Sequence, residues 1–386
     1  MAAKRLPVTM FGMRRRIYQL ALTVSGCWAL SGCGLGYYWQ AARGHLELMD
    51  QREPVAQVVA DPATPASTRD QLEYAQAALA FAHGELALPD NGSYQQYAAI
   101  DRDAVVWNVV AAPVFSLEPR VWCFPVAGCV GYRGYFKQAA AEDFARKLRE
   151  QGDDIYVGGV TAYSTLGRFA DPLTSPMLAL KNYRLAGLLF HELAHQQVYL
   201  PGDTVFNESF ASAVEQAGMR LWLSARKEGA ARCDYERWLS RRAQVRQILT
   251  RSRAKLSALY LENAEPDATL QAKAVLLQSL RDDYQVLRDQ WPGPPYFDGW
   301  FGPGLNNASL AALAAYDQFV PSFAVLLNRH DDELPAFYAA AQRLADTDAQ
   351  ARAAELAALA LDQVSQPPLP ENCATFRALS QEQPPD

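Results

Sequence analysis

The sequence predicts an α+β chain, predominantly helical, with a small sheet and a long helical hairpin. Three observations predict it. Short runs rich in β-branched and aromatic residues fall between residues 104 and 165. From residue 175 onward the apolar residues recur at helical spacing. Residues 231–291 hold two long, charged amphipathic patterns separated by "ENAEPDA", as in two helices folded back on each other. The chain has 386 residues, half of them hydrophobic, which is enough for a sizeable core in one large domain or two modest ones.

The N-terminus comes first in chain order. Arg14-Arg15-Arg16 precede "IYQLALTVSGCWAL", an apolar stretch too short to span a bilayer comfortably, and then Leu30-Ser31-Gly32-Cys33-Gly34. A basic region, a short apolar core and small boundary residues describe a secretory signal over residues 1–32. The order Leu-Ser-Gly-Cys resembles a bacterial lipobox. That resemblance implies that Cys33 carries the lipid and anchors the protein to a membrane. It places the chain in the bacterial cell envelope, facing the periplasm. Gly34 is not Asp, which favours the outer membrane.

Export makes the remaining cysteines an even set in an oxidising compartment: Cys123, Cys129, Cys233 and Cys373. Three connectivities are possible. Cys123 and Cys129 are near neighbours in "WCFPVAGCVGY", so a local bridge is preferred, leaving Cys233 for Cys373. No C-x-x-C pair offers a cysteine zinc site. Net charge is −6 and no face of clustered Lys and Arg is evident, which argues against nucleic-acid binding. Arg241-Arg242 read as part of a solvated helix face.

"YYWQAARGHLELMDQ" is a short helical pattern, followed by a Pro, Ala and Thr-rich linker at residues 61–70. Thr68 can cap the next helix, with Leu72, Ala75, Leu79 and Leu86 on one face. "AVVWNVVA" (104–111) and "RVWCFPVAG" read as strands. "YFKQAAAEDFARKLREQG" reads as a helix ended by Gly152. "DIYVGGVTAYST" (154–165) reads as a strand broken by two glycines. Ser175-Pro176 opens a helix that runs to Leu200, where Pro201-Gly202 stops it. Asn207 caps or begins the next helix, which ends near Gly229. The two patterns of residues 231–291 read as structural packing. "WPGPPYFDGWFGPGLNN" is a loop long enough to be functional. Residues 308–365 return to helix.

Within the helix after Ser175 stands His191-Glu192-Leu193-Ala194-His195. Residues i and i+4 share a helix face, so both imidazoles meet at one point. That pair can grip one zinc ion at about 2.0–2.1 Å. Glu192 lies beside the metal, where its carboxylate can take a proton from water whose pKa zinc lowers from about 15.7 to about 7. An apolar helix has no reason to bury Glu and two His without a metal, since unpaired buried polar groups are costly. A zinc site of this kind needs a third protein ligand and an open position. Asp203, Glu208 and Glu215 lie downstream. Glu208 is preferred because a turn can fold its helix back on the first, and Glu215 is the natural partner for a histidine N–H. The metzincin pattern needs Gly and a third His, but Val198 and Pro201 stand there.

"HELAH…NESFA" resembles the gluzincin metallopeptidases, whose third ligand is a Glu in an N-E-x-x-A segment. A closer likeness is to a bacterial family of predicted lipoprotein aminopeptidases. That family has a lipobox start and segments similar to "WCFPVAGCVGYRGYF", "AYSTLGRFADPL", H-E-L-A-H-Q, N-E-S-F-A and "LNNASLAALAAYDQFVPSF". The resemblance implies a zincin-like peptidase domain over 71–366, with the lipidated N-terminus and linker at 33–70, a hairpin insertion at 231–291 and a tail at 367–386. It implies one zinc ion held by His191, His195 and Glu208, with Glu192 as general base and a peptide as substrate. It gives the strand with Gly158 and Gly159 the role of an edge on which the substrate backbone lies, with Tyr163 nearby. Tyr163, Tyr199 and Tyr316 are candidate donors to the oxyanion, and Tyr316 is preferred because it lies in the family-like segment. Endopeptidase action at the same site, and a partner-binding lipoprotein with a structural zinc, are the alternatives.

Overall fold

The computed structural model describes residues 36–124, 128–180, 182–262, 264–291, 296–315, 318–362 and 373. They fall into a short N-terminal unit, Met1–Asp50, and a larger unit, Gln51–Asp386. In the first, the described part is helix α1, residues 36–50, with Tyr38, Trp39 and Leu46 exposed. Cys33 and the signal segment lie outside the described residues. No helix among the described residues is long and apolar enough to cross a membrane.

The larger unit runs β1 (Arg52–Pro54), α2 (Val55–Ala60), α3 (Ala66–Gly84), β2 (Gln96–Ala98), β3 (Val106–Pro113), β4 (Trp122–Phe124), β5 (Gly128–Val130) and β6 (Arg133–Tyr135). Then come α4 (Gln138–Glu150), β7 (Asp153–Val160), β8 (Leu173–Thr174), α5 (Ser175–Leu178), α6 (Asn182–Gln197) and α7 (Thr204–Ala225). The hairpin α8 (Gly229–Leu261) and α9 (Pro266–Asp289) follows, and α10 (Asn307–Ala315), α11 (Val320–Asn328), α12 (Leu334–Ala345) and α13 (Ala349–Leu361) complete the described elements. The fold is mostly helical with small sheets.

The strands form three pieces. One sheet has the order β1-β2-β8, antiparallel then parallel. The second has β3 between β6 and β7, all antiparallel. β4 and β5 make a hairpin in which Cys123 faces Cys129, and a disulfide joins the two. The expected single strand through "RVWCFPVAG" is therefore the first arm of a hairpin. A second disulfide ties Cys233 of α8 to Cys373.

Several expectations need correction. Thr68 does not cap α3. The helix begins two residues earlier, after Pro65, whose carbonyl accepts the Arg69 amide at 3.0 Å. β7 is not broken by its glycines: Asn108 pairs with Gly158 and Trp107 with Gly159 without interruption. The glycines make room for this chain's own side chains. A Cβ on Gly159 would stand 2.8 Å from the Ala104 Cβ, and one on Gly158 would stand 2.7 Å from the Tyr156 hydroxyl. β7 stops at Val160, short of residue 165, because the Thr161 carbonyl turns to accept the Thr174 hydroxyl (3.1 Å). The helix from Ser175 is two helices. The Leu180 amide closes a turn on Met177 (3.1 Å), and Asn182 opens α6 with its side chain held by Gln71 (2.6 Å). Arg241 is buried, not solvated, because its guanidinium lies over Trp291 and Tyr296 at 5.6 and 5.8 Å.

The main core joins α3, α6, α7, α11, α12 and α13 around Phe190, Phe206, Phe210, Phe323 and Phe337, all fully buried. Each such side chain contributes about 1.5–3 kcal/mol of burial. A second core under the hairpin holds Leu249, Leu256, Leu277, Leu280, Tyr284 and Phe301. The two meet the β3 sheet through α10, which packs on β3 and β7.

Candidate metal centre

α6 is apolar almost all round, and ten of its sixteen residues are buried. Such a helix belongs in a core. Its partner is α7, antiparallel to it and packed closely at Gly218, where a Cβ would meet Leu86 and Phe190 at 2.7 and 3.1 Å. The turn between them is held from several sides. Asp203 caps α7 by accepting the Phe206 amide (3.0 Å), and Arg352 donates to it (3.1 Å). Asp203 is thus a cap and not a ligand. Asn207, expected at the helix start, lies within α7 and clamps Leu200 instead. Its Oδ1 accepts the Leu200 amide and its Nδ2 donates to the Leu200 carbonyl, both at 2.8 Å. This clamp sets where Glu208, the next residue, stands.

His191, His195 and Glu208 come together with one ligand atom each, all within 4.8 Å of one another. The His191 Nε2 is 3.2 Å from Glu208 Oε2, and the His195 Nε2 is 3.7 Å from Oε1. Both imidazoles are nine-tenths buried. Ligand atoms about 2.0–2.2 Å from one tetrahedral zinc stand about 3.3–3.5 Å apart. The two separations, to the two Glu208 oxygens, are of that order, so the group could hold a metal ion. Glu215 does not join them. It faces the other ring nitrogen, with Oε2 3.5 Å from His191 Nδ1. An Nδ1–H held there leaves the Nε2 lone pair directed inward. Gly187, one turn before His191, gives Glu215 its room: a Cβ there would stand 3.2 Å from Oε1.

The electrostatics are those of a crowded acceptor site. Burial opposes charge on His191, but Glu208 and Glu215 outweigh it and raise the pKa to about 10. Burial lowers His195 to about 4. Burial works to raise Glu208, and the histidines overcome it and hold it low. Burial raises Glu192 to about 7, with the neighbouring carboxylates Glu208 and Asp171 adding to it.

A family model described as "Putative aminopeptidase" matches residues 36–356. The chain belongs to this family. The match takes in the sheets, the helices α6 and α7 and the hairpin, and it supports a peptidase function on a peptide substrate. No curated protein and no solved structure matches the chain.

For the other residues read as site residues in this aminopeptidase-family chain, placement is mixed. Gly158 and Gly159 sit near the C-terminal end of β7, an edge strand of its sheet, and the chain leads from there to Ser164, which lowers the Glu192 pKa. Tyr163 packs its ring on Phe136 at 5.3 Å. Tyr199 lies beside the centre, its ring 6.4 Å from that of His195 and its pKa raised by burial and by Glu208. Tyr316 lies outside the described residues. Ser164, Asp171 and Tyr94 also gather around Glu192. Sequence reasoning missed them, although the turn signal at Gly167 and an Asp soon after it were there to be read. Arg242, on α8, acts on Glu208 electrostatically and lies over Trp238 at 5.2 Å.

Proposed function

We propose that this member of the family is a zinc-dependent aminopeptidase of gluzincin-like chemistry and zincin-like fold. The observation that carries the reading is the convergence of His191, His195 and Glu208 on one point, with Glu192 next in the chain. The three residues hold one zinc ion. Bound zinc supplies a Lewis acid that polarises the peptide carbonyl and makes water acidic at neutral pH. Glu192 takes the proton from the attacking water and returns it to the leaving amine. Glu215 orients His191 through Nδ1. The edge of β7 at Gly158 and Gly159, with Tyr163, takes the extended substrate backbone. A tyrosine hydroxyl steadies the oxyanion. Tyr316 is favoured by the family-like segment and Tyr199 by its place beside His195, and Tyr→Phe at each separates them.

The same reading places the protein on the outer membrane through a lipid on Cys33, facing the periplasm, and the two disulfides support an oxidising compartment. The test is turnover of peptide pairs with free and blocked N-termini by the mature protein, with and without a zinc chelator. The expected result is chelator-sensitive hydrolysis of free-amine peptides alone. Equal cleavage of blocked peptides would make it an endopeptidase, and chelator-resistant cleavage would overturn the metal.

A further inference from the structure

The first helix keeps large apolar side chains in water. In α1, Trp39 is 70% exposed, Leu46 60% and Tyr38 47%. Helical spacing collects them on one side. At about 100° per residue, Tyr38, Ala42, Leu46 and Trp39 fall within about 100° of the helix circumference, and Ala42 is exposed with the others. The stripe beside them is charged: Arg43 donates to Glu47, one turn on, at 2.6 Å, and both are exposed. The exposed side of α1 is therefore an apolar arc edged by an ion pair that neutralises itself. Single apolar residues scattered on a surface need no explanation, but an aligned stripe holding Trp and Tyr does.

The place of α1 in the chain points to what covers the stripe. Tyr38 is the fifth residue after Cys33, the lipobox cysteine. Five residues reach at most about 18 Å when fully extended, so a lipid on Cys33 keeps the aromatic end of α1 within that distance of the bilayer surface. At such range a second, weaker contact forms readily, because the tether has already supplied the encounter. Trp and Tyr are the side chains that a membrane–water interface favours, with the ring in the apolar boundary and the polar atom among the headgroups. The charges suit a neutral surface rather than an anionic one. Residues 36–50 hold one Arg against Glu47 and Asp50, and that Arg is already paired with Glu47. The helix spans about 22 Å, and no described helix is long and apolar enough to cross a membrane, so an orientation along the surface is the one that fits.

We propose that the Tyr38, Ala42 and Leu46 stripe of α1, with Trp39, is a membrane contact that lies in the headgroup region of a zwitterionic bilayer. The choice of a bilayer as occupant rests on Cys33 carrying the lipid. Lipid and helix together give the N-terminal unit two points of attachment, so the helix lies flat where a lipid alone would leave it to swivel.

The experiment places the mature, lipidated chain in phosphatidylcholine vesicles that contain a lipid with a nitroxide near its headgroup, and compares the parent with Trp39→Phe and Leu46→Ser. Quenching of tryptophan fluorescence is the readout, and the mass of the N-terminal peptide reports the lipid. A quenched component is expected in the parent, lost in Trp39→Phe, weakened in Leu46→Ser, and unchanged between low and high salt. Equal quenching in the parent and Trp39→Phe overturns the proposal, as does quenching that high salt abolishes. A Trp39 shielded from aqueous iodide yet unquenched by the lipid overturns it too, since another protein surface then covers the stripe. An N-terminal peptide without lipid overturns the anchor reading instead, and the same Trp39 difference, measured on that protein added to vesicles, still decides whether the stripe meets the bilayer.

Discussion

Two of the buried ionic clusters among the described residues are built differently. Beneath the hairpin, Lys273 donates to Asp154 (2.5 Å) and to the Val114 carbonyl (2.9 Å). The Asn307 amide donates to the same Asp154 oxygen, its side chain donates to the Pro113 and Val114 carbonyls, and Tyr260 donates to it. Each of these contacts is matched by chemistry the chain itself supplies, and one cation meets one carboxylate. In the α6–α7 cluster, carboxylates outnumber cations. Three acidic side chains, Glu192, Glu208 and Glu215, lie near His191; Glu208 and Glu215 raise its pKa to about 10 against its burial, burial lowers that of His195 to about 4, and His195 Nδ1 has no hydrogen-bond partner. The first cluster holds β3, β7, α9 and α10 together. The second lies in a buried place with more acidic than basic side chains. A fully paired network is architecture, and a buried group of acceptors around one point asks for a cation.

Breaking that contrast is the way to test it. The largest effect belongs to Glu192→Gln, which keeps the shape and removes the base. Turnover is expected to fall by about 10²–10⁴-fold with zinc content unchanged, measured by steady-state rate and metal analysis. Next is Lys273→Met in the other cluster, which strands Asp154 in the interior. Denaturant unfolding is expected to show a loss of about 3–5 kcal/mol, while kcat of the folded protein stays the same. A large kcat loss there would show that the two clusters are not separate in role. Smallest is Gly187→Ala, which crowds Glu215 away from His191 Nδ1. Zinc affinity is expected to drop about tenfold by competition titration, with folding stability little changed, since Ala favours a helix interior over Gly.

What could be read from sequence follows the range of the contacts involved. His191, Glu192 and His195 are legible because an i, i+4 pair is a local fact about a helix. Glu208 is nearly so, because Pro201-Gly202 breaks the helix and the next one must fold back. Glu215 stays ambiguous in sequence between ligand and helper, and only the side of the ring it meets decides. Asn207 looks like a cap by residue type, but Asp203 takes that role and Asn207 clamps the turn from inside the helix. Tyr94 and the segment holding Ser164 and Asp171 come near Glu192 from two distant stretches, and no spacing announces that. Arg241 reads as solvated because its aromatic partners, Trp291 and Tyr296, come from across the hairpin. The mostly helical class was legible from periodicity, whereas the break at Asn182 depends on Gln71, more than a hundred residues upstream.

The most direct test of the central claim is a calorimetric zinc titration of the metal-stripped protein beside Glu208→Gln. The account predicts one ion per chain in the parent and affinity lowered at least tenfold in the variant, with protons released as the ion displaces the one on His191. Zinc bound equally well without the Glu208 carboxylate, or no saturable site in the parent, would contradict it.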